Sequence, residues 1–522
     1  MSKKKYSLGI DIGTSGAKAG IFDEEGELIS IAQEEYHFQR PRPGWSEIDP
    51  EEVWRKVCFV IRQCVKESSL DVDKIVGVGL SVLGETFLFA DEGGNPIHPA
   101  IESMDGRDHA YQKYILWLKE NLGAEDIFRR TSYPISSLPP APKILWFQEH
   151  KPEIIQRTSK IVTFQDFAIW RLTGTPAIDY SMASRTMLFD ANEKAWIEEY
   201  LQQMGLSSER FSAPLESSQV VGQLSMDVAN ELGLTPGIPV VPGAHDQSCA
   251  ALGVGIVREG IASDGTGSVE AIATVTKTPI STPDMMLRGH GSQCHVRKDL
   301  YLALGFHLSA GSLVRWYRDC LGQWERELAA KEGKDPYDLL TEVAERSPPG
   351  AKGLLVFPHW SGAGTGRKPA LSPNSRGAIF GLTLAHEKSD ISRAIFEGIT
   401  FEARYIIESL ESCGIPITDL VVTGGGAKSA FWLQLKADIT GKRIVVPEVT
   451  EASLLGAALL AGAGAGLYSS LEEAVTRACR TVTTYEPQQE TVAIYNKLFP
   501  IYRDLYDATI DISGRLTTFA AY

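Results

Sequence analysis

An apolar-rich run at residues 6–10 passes directly into Asp11-Ile12-Gly13-Thr14-Ser15-Gly16, and an extended pattern resumes at 17–22. A turn at 23–26 and a returning stretch at 27–32 complete the order strand, glycine turn, strand, turn, strand. Residues 51–66 carry Val53, Val57, Val60, Ile61 and Cys64 at helical spacing, and 75–81 reads as an apolar strand. Further helices are predicted at 110–121, 143–150, 164–172 and 195–204. Val240-Val241 ends a strand that opens through Pro242-Gly243 into Ala244-His245-Asp246-Gln247.

From there the order partly repeats. A second glycine string, Asp264-Gly265-Thr266-Gly267-Ser268, is followed by strands at 269–275 and 301–303. Residues 389–411 place Ile391, Ile395, Ile399, Ile406 and Leu410 on one helical face. A strand at 419–423 runs into Gly424-Gly425-Gly426 and a helix at 430–439; a strand at 444–446 precedes another helix from Glu451. The expected division is a first domain at 1–247, a second at 248–490, and an aromatic-rich tail, 491–522, packing on the second.

Glycines let a backbone turn tightly, and successive N–H groups in such turns form anion-binding concavities. Two such loops, one per half, imply two halves closing on one polyphosphate. A Walker-type loop would join a strand to a helix and carry GxxxxGK[ST], a string this chain lacks. Asp11, at a strand end, is placed to hold magnesium through water, with Thr14, Ser15 and Lys18 close behind as phosphate contacts; a turn-forming Asp is the competing reading. Asp246 is a candidate proton acceptor for a hydroxyl substrate, against a helix cap. Its neighbour His245 is read as structural. Gly424 to Gly426, with Ala427 and Ser429, suit close approach of a nucleotide, or equally tight packing. Glu85, Asp105 and Arg107 follow turns where they could bind vicinal hydroxyls; for Asp105 and Arg107 a structural ion pair is an equal alternative.

Composition narrows the partners. Lys and Arg total 51 against 66 Asp and Glu, a net charge of −15, which disfavours nucleic acid and anionic membranes. The seven cysteines are scattered, without CxxC or zinc spacing, so free thiols in the cytoplasm are expected. The basic start lacks the apolar stretch of a signal peptide, and the apolar tract 452–467 is interrupted by glycines and too short to span a bilayer.

At this point the residues resemble the FGGY family of carbohydrate kinases over nearly the whole length. Ala141-Pro142-Lys143-Ile144-Leu145-Trp146-Phe147-Gln148-Glu149-His150 is similar to the family's first signature. Gly377 to Leu382, with His386 and Asp390 to Glu397, is similar to the second. The string around Gly424–Ser429 with Trp432, Gln434, Ala437 and Asp438 looks most like the xylulokinase branch. The resemblance implies an α/β fold of two actin-like, ribonuclease-H-like ATPase domains, each a mixed sheet flanked by helices, with a deep cleft between. It implies ATP and Mg2+ as cofactors, Asp246 as general base, and Asp11 positioning magnesium. Thr14 and Ser15 would contact phosphate, and Gly265, Thr266 and Gly267 would face the transferred group. Gly424 to Ala427 would lie against adenosine. The implied reaction is phosphorylation of a terminal hydroxyl of a ketose or polyol, a pentulose such as xylulose foremost. Another ketohexose, a tetritol or a glycerol-like polyol is the alternative, and a homodimer is the assembly considered. An actin-like ATPase without a sugar pocket and a catalytically dead sensor are the rival readings.

The expected sugar pocket, Leu83, Gly84, Glu85, Asp105, Arg107, Asp246 and Gln247, departs from better-known members. Leu83 stands where xylulokinases carry His, Gly84 where glycerol kinases carry Arg, and Ser103 where both tend to carry Trp. The expectation is a roomier pocket with fewer fixed donors.

Overall fold

In a computed structural model of the chain, the described residues are 4–107, 110–372, 374–517 and 519. Met1-Ser2-Lys3 of the basic start, and residues 518 and 520–522 of the expected tail, lie outside them. Tyr6–Ile12 pairs antiparallel with Gly16–Asp23, which pairs antiparallel with Leu28–Glu35. On its other side Tyr6–Ile12 runs parallel to Ile75–Val82, in a register that sets Asp11 beside Ser81. Ile75–Val82 in turn takes Ala244–His245 as a parallel neighbour, with His245 beside Val82. The pairing thus gathers Asp11, Ser81 and His245 at the same strand ends.

The second sheet repeats the plan. Gly260–Thr266 pairs antiparallel with Glu270–Thr276, then Tyr301–His307 and Gly291–Cys294 follow outward. On the other side Ile417–Gly424 lies parallel, with Gly424 beside Thr266, followed by Arg443–Pro447 and Thr481–Tyr485. Both sheets therefore place a glycine turn at the end of a central strand inside a hairpin. The tail helix Gln489–Thr517 buries Tyr495, Phe499, Tyr502 and Tyr506 in a core shared with Phe396 and Phe401.

Two helices fill the space between the sheets. Asp246–Gly253 presents Ala251 to a cluster with Val275, Leu302 and Val421 of the second sheet. Ala452–Gly464 packs with Phe22 of the first sheet and with Cys249 and Leu252. This second helix, placed in the second domain by chain order, lies against the first sheet. Glycines make the approach possible: a Cβ on Gly9, Gly77 or Gly79 would strike the carbonyl oxygens of Leu454, Ala461 or Ala457. The helices also meet through Gly253 and Gly456, whose Cβ positions are filled by the carbonyls of Ala452 and Cys249. The helix is apolar on all sides, so periodicity could not say which sheet it would cover. The expected boundary near 247 falls inside the helix that it joins.

One expected helix, at 195–204, is present but starts later. Ala195–Trp196 is a short strand paired with Phe189–Asp190, and helix begins only at Glu198. The Trp196 indole donates to the Ser212 carbonyl, which holds the segment extended.

Gly456→Ala tests the helix contact. Helix propensity alone favours Ala by about 1 kcal/mol. The occupied Cβ position should reverse that sign and give the roughly 1–3 kcal/mol loss of an overpacked core in urea unfolding. Stabilisation instead would show that the helices do not touch there.

Candidate active site

Asp11 sits at the end of its strand with its carboxylate buried, and Ser81 Oγ donates to Oδ1 at 2.6 Å. Burial pushes its pKa up, against the pull of Ser81 and Lys18. The loop beyond closes through the Gly13 N–H on the Gly16 carbonyl at 3.0 Å, and Tyr36 Oη donates to the Gly13 carbonyl at 2.5 Å. Thr14 and Ser15 are exposed at its tip. Lys18, expected among the phosphate contacts, is engaged elsewhere: its ammonium pairs with Glu451 at 2.7 Å, just before the helix Ala452–Gly464. Lying opposite Asp11 in register, it shares that residue's face of the hairpin, and its charge acts on the Asp11 carboxyl.

Asp246 begins its helix with a side chain 29% exposed. Burial and the Asp11 carboxylate raise its pKa to about 7, the region where a proton acceptor works best near neutral pH. His245 Nε2 lies 3.2 Å from Asp246 Oδ1. The imidazole fills the space beside Gly84, where an added Cβ would come 2.7 Å from Nε2.

Behind this pair stands a group of side chains that sequence reasoning missed. Arg185 pairs with Glu85, and its guanidinium stacks over Tyr133, 4.7 Å from the ring centre. Tyr133 Oη donates to Glu85 Oε1 at 2.8 Å. Arg185 Nη1 donates to Gln293 Oε1 at 3.3 Å, while Nε is buried with no hydrogen-bond partner among the described residues. A guanidinium thus joins this group from residue 185, although residue 84 is glycine. A lone charge in the otherwise uncharged Ser181-Met182-Ala183-Ser184-Arg185-Thr186-Met187-Leu188 was the available signal.

Three other expectations change. Asp105 and Arg107 form a buried ion pair, Nε to Oδ1 at 2.8 Å, with Glu47 at 2.8 Å from Arg107 Nη2. Asp105 also accepts from the Ser46 N–H and Tyr111 Oη, and Arg107 lies over the Trp45 and Trp146 rings. These contacts are the structural alternative, with Arg107 Nη1 left buried and without a hydrogen-bond partner among the described residues. Leu83 is 4% exposed and belongs to the core under the first sheet. Gln247 is exposed beside Asp246. Lys143 of the first signature donates to the carbonyls of Glu102, Ser103 and Leu138, and burial brings its pKa down to about 7.

In the second half a cavity of about 530 Å³ is lined by Thr266, Gly267, Ser268, Gly425, Gly426, Lys428, Ser429 and Trp432, facing Asp335, Tyr337, Asp338 and Thr341. The two glycine strings touch: a Cβ on Gly426 would lie 2.8 Å from Thr266 Oγ1, and Gly424 adopts φ +78° against the Thr266 carbonyl. Ser429 Oγ caps the next helix by accepting from the Trp432 N–H at 3.2 Å. Gly265 and Ala427 do not line the cavity; Ala427 packs on the apolar core. The Thr266 hydroxyl turns inward, within 3.1 Å of Asp264 Oδ1 and 3.2 Å of Glu270 Oε1.

Beneath Thr266 lies a fully buried cluster that the sequence did not announce. Lys436 Nζ is 2.5 Å from Asp264 Oδ2 and also pairs with Glu270, whose other oxygen meets His307 Nε2 at 2.5 Å. Burial and Glu270 hold Asp264 up at about 7. Burial alone would raise Glu270 too, but Lys436 and His307 hold it well below the usual carboxylate range.

Among the described residues no cluster of three or more His, Cys, Asp or Glu could cage a metal. A lone buried carboxylate such as Asp11 fits magnesium, which keeps several waters and takes phosphate oxygens as its other ligands. No helix among the described residues is long and apolar enough to cross a membrane.

Residues 6–253 match the N-terminal domain of the FGGY family of carbohydrate kinases, and residues 260–465 match its C-terminal domain. The chain is 31% identical to a gluconokinase of Bacillus subtilis (strain 168) over 96% of its own length and 95% of that protein's. It is 29% identical to a xylulose kinase of the same organism, covering 99% of each. In three dimensions it is similar to a ligand-bound xylulose kinase from Lactobacillus acidophilus, with a TM-score of 0.88, 25% identity, and coverage of 98% of this chain and 100% of that one.

Proposed function

The chain belongs to the FGGY family of carbohydrate kinases, and from that premise we propose that it transfers the γ-phosphoryl group of ATP to a terminal hydroxyl of a neutral ketose or polyol, a pentulose such as xylulose foremost. The observation that carries the reading is Asp246, a carboxylate tuned to about 7 and set between the Asp11 loop and the Glu85–Arg185 pair. It takes the hydroxyl proton as the oxygen attacks phosphorus. Gly267, Gly425 and Gly426 offer backbone to the nucleotide, and Thr14 and Ser15 meet the phosphates from the other half. Asp11 would hold magnesium through water, and the metal would neutralise charge on the phosphates. The seven free cysteines fit a reducing compartment, the cytoplasm.

The charge balance favours an uncharged acceptor. Arg185 is matched by Glu85, Asp11 and Asp246 add negative charge, and Lys143 is bound to carbonyls. An aldonate, the acceptor named for the gluconokinase relative, is the second reading; the unpartnered Arg185 Nε favours it. Coupled ADP-release assays with MgATP and xylulose, ribulose, erythritol, glycerol and gluconate decide. A neutral ketose should give the highest kcat/KM. Gluconate exceeding every neutral acceptor by about tenfold, worth about 1.4 kcal/mol, would overturn the neutral-acceptor reading.

A further inference from the structure

Asp246 stands beside the end of a hydrogen-bonded chain, Arg185 to Gln293 to His245, whose polarity the chemistry of its members dictates. Arg185 has only donors, so the Gln293 oxygen must face Nη1, at 3.3 Å. That turns the Gln293 amide nitrogen toward His245 Nδ1 at 3.0 Å and Ser248 Oγ at 2.6 Å. An amide nitrogen only donates, so Nδ1 accepts and the ring proton sits on Nε2. Nε2 lies 3.2 Å from Asp246 Oδ1, so the ring's protonated edge stands beside that oxygen. Burial and the charge of Arg185 keep the imidazole neutral, its pKa well below the usual histidine range. The His245 backbone is held as well, its N–H on Ser181 Oγ at 2.9 Å.

We propose that His245 and Gln293 are positioning residues for Asp246: Gln293 fixes the imidazole, whose protonated Nε2 stands against Oδ1 and leaves Oδ2 to take the acceptor's proton. This rests on Asp246 being the base. The acceptor O–H bond breaks toward Oδ2 as its oxygen bonds to the γ-phosphorus and ADP departs with the bridging oxygen. His245 keeps its proton throughout. The two residues come from different halves of the molecule. Gln293 lies on the edge strand Gly291–Cys294 of the second sheet, which docks on the first half through the Cys294 N–H to Ser184 Oγ at 3.1 Å and the Ser292 N–H to the Ser132 carbonyl at 2.9 Å. Arg185, at the far end, also grips Glu85. Occupancy near Glu85 and docking of the edge strand are thus both felt at the base.

The test uses full-length His245→Gln, His245→Asn, Gln293→Leu and Asp246→Asn proteins, with kcat and KM for MgATP and the best acceptor, alongside thermal melting. A Gln side chain reaches the position of Nε2; an Asn reaches only that of Nδ1. His245→Asn and Gln293→Leu should lose about 10- to 100-fold in kcat, as expected for a misplaced reacting group. KM for MgATP should stay within about twofold, and His245→Gln should recover most of the lost kcat. A histidine serving only to fill space would give equal kcat with Asn and Gln. That equality, or wild-type kcat in Gln293→Leu, overturns the proposal. Gln293→Leu supplies the readout if His245→Asn does not fold. Wild-type turnover in Asp246→Asn would defeat the base assignment itself; an inactive Asp246→Asn beside a fully active His245→Asn would defeat only the positioning role.

Discussion

Asp246→Asn should lower kcat by about 10³-fold, within the range attributed to general base catalysis. Asn keeps the size and can still accept from the Gln247 N–H, so the helix start is preserved. It cannot take a proton. Nucleotide affinity should hold or tighten, because the substitution removes a carboxylate that shares the field of Asp11. Initial rates and nucleotide titration read the two effects separately. The wild-type enzyme should also show a pH limb. The base works ionised, and burial places its pKa at about 7, so kcat/KM should fall below that pH and level off above it. A variant that keeps both the rate and the limb would assign the proton to another group.

Lys436→Met should cost about 3–5 kcal/mol in urea unfolding, the loss seen when one partner of a buried ion pair is removed. Met fills much of the same volume, so the effect is electrostatic: Asp264 and Glu270 would remain buried without their shared cation. The pH dependence has a definite sign. Without the ammonium Asp264 is raised still further above its unfolded value in the folded state, while Glu270 keeps only His307. The folded protein then binds more protons, and its stability falls as pH rises through the Asp264 value. The defect should therefore be larger at pH 8 than at pH 6. Adding Asp264→Asn and Glu270→Gln should restore much of the loss, since a neutral buried set can be nearly as stable as a paired one. If Lys436→Met alone melted like wild type, the cluster would not be the support of the Thr266 turn.

The hairpins and their glycine turns were legible because local chemistry determines them. Asp11 to Gly16 and Asp264 to Ser268 each follow a strand, and only a tight turn accommodates such strings. The long amphipathic helix was legible for the same reason; it runs from Lys388 to Glu411. Partners distant in sequence were not legible. Nothing near Gln293 says that its amide meets His245, because that contact depends on how an edge strand of one sheet docks on the other half. Nothing near Lys436 announces two carboxylates from a neighbouring hairpin. Asp105 and Arg107 show the opposite error. Their spacing suits either a ligand or each other, and burial between Trp45 and Trp146 decided for each other.

The helix Ala452–Gly464 has a consequence for the order in which the protein can be made. The strand that carries Gly9 leaves the ribosome long before the helix that covers it. Until residue 464 has emerged, that face of the first sheet is a shallow apolar surface, with grooves at Gly9, Gly77 and Gly79 and nothing to fill them. The first half therefore lacks part of its own cover, although it contains a complete hairpin, Asp246 and one glycine loop. Nascent chains must carry an exposed sticky face through most of synthesis, the condition under which chaperones are engaged and truncated products aggregate.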